Sequence, residues 1–97
     1  MRIELKKISP SLMSRQAGKE ALLALRPQLN ELKDDEVLAI DFVGVTTFSP
    51  SWGDEFLTPL FEEYADRLIL DPTDNLSVQD TLALLESMHG FKFKKML

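Results

Sequence analysis

The sequence predicts a small α/β domain: one unit over residues 1–97, with a mixed sheet of about four strands and about three helices. Three observations carry this. Short apolar runs alternate with longer stretches in which apolar residues recur every three or four positions. At 97 residues, 44% hydrophobic and 28% charged, the chain has the length and composition of one globular domain. Burying about 60–70% of the unfolded surface is expected at this size. The stretch Val37–Glu55, VLAIDFVGVTTFSPSWGDE, reads as a buried strand, a hydroxyl-rich turn and a helix start.

In chain order, Ile3-Glu4-Leu5-Lys6 alternates apolar and charged residues. Arg2–Lys7 therefore reads as a strand near a sheet edge with one face buried, broken by Ser9-Pro10-Ser11. Ser14 is an N-cap candidate. Ala17, Ala21, Leu22, Leu25, Leu29 and Leu32 follow as one helical stripe. Pro27 lies inside it, so a kink or break is expected near Arg26, with a last turn to about Leu32. Lys33-Asp34-Asp35-Glu36 is a solvated turn.

Val37-Leu38-Ala39-Ile40, ending at Asp41-Phe42, lacks polar alternation and predicts a strand covered on both faces. Gly44 permits a tight turn. Thr46, Thr47, Ser49 and Ser51 then lead into a helix, with Ser49 as N-cap and Pro50 at the first position, or with Ser51 as the cap. Phe56, Leu57, Leu60, Phe61 and Tyr64 form its buried face, and Pro59 predicts a second kink. Arg67–Leu70 is the third strand. Ser77 with Asp80 three residues on opens a third helix to about Met88. Gly90 suits the position after its end, and Phe91–Lys94 reads as a short edge strand. The order β-α-β-α-β-α-(β) implies a largely parallel or mixed sheet.

The segment Asp41–Phe56, D-F-x-G-V-x-x-F-S-x-S-W-x-D-E-F, resembles the central motif of the STAS-like domains of unknown function, relatives of the anti-sigma factor antagonist (STAS) fold. Ser14-Arg15 through Ala17-Gly18 is similar to that family's first helix start, and the likeness spans roughly residues 10–90. The resemblance implies a non-enzymatic regulatory module that docks a protein partner, a kinase-like regulator. It also implies a phosphoacceptor serine in the turn, Ser49 or Ser51. This chain departs from the family's turn: Pro50 stands between the serines, and Trp52 occupies a place where a small residue is usual.

The candidate partner surface is therefore Thr46, Thr47, Ser49, Ser51, Trp52, Asp54 and Glu55. A helix N-terminus leaving the carboxyl end of a strand is where open α/β sheets dock ligands. Asp54 and Glu55 complement the helix dipole or meet a basic partner. Trp52 is a core residue or, if exposed, an interface anchor that would mark an oligomerising domain. Arg15 follows an N-cap, where the dipole disfavours a cation; it reads as a surface residue, or as one that binds an acidic group such as Asp41 or a phosphate. His89, the single histidine, reads as a cation at a helix C-terminus. The alternative function is a carboxylate metal- or phosphate-binding site on Asp41, Asp71 and Asp74 in a small hydrolase-like or ligand-binding domain.

The net charge of −5 argues against nucleic acid and anionic membrane surfaces as partners. The absence of cysteine removes thiolate catalysis and thiolate zinc sites and fits a cytoplasmic protein. The N-terminus lacks the apolar core of a signal peptide, and no apolar run reaches a span of about 20 residues. No cofactor is expected, since the sequence has no Gly-rich phosphate loop.

Overall fold

The computed structural model describes residues 1–96; Leu97, the last residue of the expected 1–97 unit, lies outside the described residues. Among the described residues six strands and three α-helices follow one another. They are β1 (Arg2–Glu4), β2 (Ser11–Leu12), α1 (Arg15–Leu29), β3 (Leu38–Asp41), β4 (Thr47–Phe48), α2 (Pro50–Tyr64), β5 (Leu68–Leu70), α3 (Leu76–His89) and β6 (Lys94–Lys95). Four of the strands form one sheet in the order β1-β3-β5-β6, and β2 pairs with β4 in a second, two-stranded sheet. Every pairing is parallel. The expected mixed sheet is thus corrected to a parallel one, since each connection within the main sheet is a helical crossover.

Ile3, Ile40 and Leu70 are register partners and lie on one face with Leu38 and Leu68. All five are buried. Ala39, Asp41 and Ile69 alternate with them and are only half-buried. The expectation of cover on both faces of β3 is therefore corrected: alternation, with Asp41 and the neighbouring Arg2 and Glu4, puts the charge on the other face. The helices are packed in series, α1 against α2 and α2 against α3.

Small residues permit that packing. A Cβ on Gly18 would lie 2.6 Å from the Trp52 carbonyl oxygen, and one on Gly53 would lie 3.1 Å from both Leu85 and Phe48. These two glycines seat α2 close to α1 on one side and α3 on the other. Phe42, Phe48, Trp52 and Phe56 form a continuous aromatic file beneath it, with successive ring centroids 5.6, 5.7 and 4.6 Å apart.

Several boundaries differ from expectation for local reasons. The first strand ends at Glu4, because Leu5–Lys7 form a 3-10 turn that buries Leu5 completely. Ser11, expected as part of a break, instead forms a short strand with Leu12 that pairs with Thr47-Phe48. Pro27 and Pro59 each lie inside one continuous helix, so the break considered near Arg26 does not occur. Pro27 lies within the last turn of α1, which ends at Leu29 and not near Leu32. The cap of α3 is Asn75, whose side chain accepts the Val78 N–H. Ser77, the expected cap, is used elsewhere: its hydroxyl accepts the Phe48 N–H at 3.0 Å. The last strand is Lys94–Lys95, later than the expected Phe91–Lys94, with Phe93 buried instead. Among the described residues no helix is long and apolar enough to cross a membrane.

Candidate functional site

The strand–turn–helix unit expected around Val37–Glu55 is present. β3 ends at Asp41, whose carboxylate accepts the Val43 N–H at 2.9 Å and so holds the first bend of the turn. Gly44 takes a φ of +84°, open to glycine. The turn is fastened across the molecule: Thr46 donates its hydroxyl and its N–H to the Pro10 carbonyl. Asn75 donates to the Val45 carbonyl at 2.8 Å. Thr47 lies in β4 and is half-buried.

Ser49 is the N-cap of α2. Its hydroxyl accepts the Trp52 N–H at 3.1 Å and donates to the Met13 carbonyl. It thereby joins the helix start to the segment leaving β2. Ser51, one residue into the helix after Pro50, is half-buried. Trp52 is 1% exposed. It is a core residue and supports the surface from beneath; the reading of an exposed, oligomerising Trp52 is corrected by this burial.

Asp54 and Glu55 lie beyond the first turn of α2, since the helix begins at Pro50. The dipole accounts for them less well than their neighbours do. Asp54 Oδ1 accepts from Thr58 at 3.1 Å and faces His89 Nε2 at 2.7 Å. Its Oδ2 accepts from Arg15 at 3.1 Å, and Arg15 also reaches Glu55 at 3.0 Å. One carboxylate thus collects donors from α1, α2 and α3. Burial pushes the Asp54 carboxyl up, but its bonds to His89, Arg15 and Thr58 outweigh that and hold it below its usual range. Glu55 and Asp54 in turn raise Arg15. The acidic neighbour of Arg15 is therefore this pair, not Asp41. His89, at the C-terminal end of α3, thus faces a carboxylate, and its ring also stacks on Phe91 with centroids 5.5 Å apart. Arg15 and Asp54 are 39 residues apart, and no local spacing announces such a contact.

The three carboxylates of the alternative site do not converge. Asp71 pairs with Arg2 at 2.6 Å. Asp41 holds its own turn, and Asp74 is exposed in the loop before α3. Among the described residues no group of three or more His, Cys, Asp or Glu side chains could hold a metal ion. No family model, curated protein or solved structure matches this chain.

Proposed function

We propose that the chain is a non-enzymatic regulatory module of STAS-like type that docks a protein partner, a kinase-like regulator, on the outward side of α2. What carries this reading is the Asp54 cluster, in which Arg15, Thr58 and His89 converge on a carboxylate three residues after Ser51. The cluster sits at the helix start to which the motif Asp41–Phe56 points. The geometry favours Ser51 over Ser49 as the phosphoacceptor. The Ser49 hydroxyl is already engaged as donor and as cap acceptor.

A phosphoryl group on Ser51 would stand one helical turn from Asp54 and Glu55, which repel it, and it would compete with them for Arg15. Modification would in this way disturb the surface that binds the partner. Thr46 is exposed, Thr47, Ser49, Ser51, Asp54 and Glu55 are half-buried, and Trp52 supports them from below. The test is capture of binding proteins by the wild-type chain, by Ser51→Asp and by Ser51→Ala, with phosphosite mapping. Partner binding kept by Ser51→Ala and lost in Ser51→Asp, with phosphate mapped to Ser51, is the expected result. Equal binding by all three counts against the switch. The metal reading lacks a converged ligand set and predicts a thermal shift with Mg²⁺, Mn²⁺ or Ca²⁺ that Asp71→Asn abolishes.

A further inference from the structure

β1 is the outermost strand of the main sheet, and its far edge pairs with no strand among the described residues. The Ala39 N–H donates to the Met1 carbonyl at 2.9 Å. In a parallel ladder this turns the backbone of Met1 and Ile3 toward β3 and leaves the N–H and C=O of Arg2 and Glu4 pointing outward. The side chains of Arg2 and Glu4 lie on the uncovered face, in register with Ala39 and Asp41. Ion pairs with Asp71 at 2.6 Å and Lys7 at 2.8 Å hold them there. Beyond the edge, beneath α1, lies a cleft of about 340 Å³ whose lining includes Ile3, Ile8, Ala21, Ala24 and Leu25. Ile8 is 43% exposed.

We propose that the occupant of this edge is a second copy of the chain, with the two β1 strands antiparallel about a twofold axis at Ile3. Backbone register and charge select this occupant. Only Arg2 and Glu4 offer outward backbone groups, so an antiparallel ladder must pair even-numbered residues with even-numbered residues. Pairing Arg2 with Arg2, or Glu4 with Glu4, sets like charges directly opposite, which is destabilising. The remaining register sets Arg2 opposite Glu4 twice, forms the hydrogen-bonded pairs from the outward groups, and is self-complementary as a twofold contact requires. Charges on an edge strand ordinarily block pairing; here they block every register but one. The Ile3 side chains meet at the axis on the helix side, above the two clefts. Ala21 and Ala24 are the small residues of α1 that line the cleft beside this edge.

The test uses the full chain. In sedimentation from micromolar to millimolar concentration, the wild type shifts from the mass of one chain to that of two. Arg2→Glu alone, and Glu4→Arg alone, stay at one chain, because each sets like charges across the axis. An equimolar mixture of the two variants recovers the two-chain species, which a variant that merely destabilised the fold could not do. In the wild type the Arg2 and Glu4 amides gain protection from hydrogen exchange as the dimer fills, a readout that needs no variant. A wild type that remains one chain at millimolar concentration overturns the proposal. So does a dimer whose Arg2 and Glu4 amides exchange as in the monomer, or a mixture that stays monomeric.

Discussion

The start of α2 and the edge of β1 are the two surfaces proposed for contact, and they are built by opposite means. α2 is wedged between two helices and rests on the Phe42–Phe48–Trp52–Phe56 file. Its position is fixed by depth of burial and by two glycines that admit close backbone approach. β1 has three residues, with Ile3 buried and Arg2 exposed. Its position rests on a ladder to β3 and on ion pairs at the surface. Where the chain must be rigid it uses apolar contact, which is strong and unselective. Where it must choose a register it uses charge, which is weak and selective.

The largest effect that sharpens this contrast is at Trp52. Trp52→Ala should cost about 3–5 kcal/mol, read as a fall in the denaturation midpoint, whereas Arg2→Ala in β1, which removes only a surface ion pair, should cost less than about 1 kcal/mol. Comparable losses at the two sites would break the comparison. Next comes Gly18→Ala. The added methyl meets the Trp52 carbonyl and Cα, which are backbone and cannot swing aside. A loss of about 1–3 kcal/mol is expected, even though alanine is the better helix former. A stabilised variant would show that α1 and α2 can separate freely.

Ser49→Ala should cost about 1 kcal/mol through loss of the cap, and the bond to Met13 goes with it. Ser51→Ala should leave stability nearly unchanged, so thermal unfolding of the pair separates the capping serine from its half-buried neighbour. The smallest effect is in the acid limb of stability. Asp54, Glu4 and Glu36 all have carboxyls held below their usual range: Asp54 against its burial, Glu4 by Lys7, and Glu36 by the N-terminal amine and the Lys33 N–H. A folded pKa below the unfolded one stabilises the protein above the unfolded value of about 4. That contribution disappears as pH falls through the lower folded value. In Asp54→Asn the fall in stability between neutral and acid pH should be shallower than in wild type. An unchanged slope would mean that the cluster does not contribute.

Much of the fold was legible because burial leaves a periodic signature. The helices, the strand into Asp41 and the caps Ser14 and Ser49 follow from apolar spacing and hydroxyls beside it. What was not legible depended on residues far apart in sequence. Ser77 has the local chemistry of a cap, but Phe48 recruits it and Asn75 takes the role. The β2–β4 pair has two residues on each strand, too few for any pattern. Strand direction in the sheet follows from crossovers, and one-sided cover only from how the helices stack. Within the candidate site, Ser49, Ser51, Asp54 and Glu55 could be named from sequence. The meeting of Arg15 and His89 on Asp54 could not, because it spans three helices.

The most direct test of the proposed docking surface is affinity capture with three baits: the wild type, Asp54→Lys and Glu4→Arg. Asp54→Lys reverses the charge on which Arg15 and His89 converge, and Glu4→Arg alters the sheet edge while leaving α2 untouched. The proposed function predicts one partner protein held by the wild type and Glu4→Arg and lost with Asp54→Lys, provided that all three baits show the same folded circular dichroism. A partner held equally by Asp54→Lys, or lost only with Glu4→Arg, would contradict it and move the interaction away from α2.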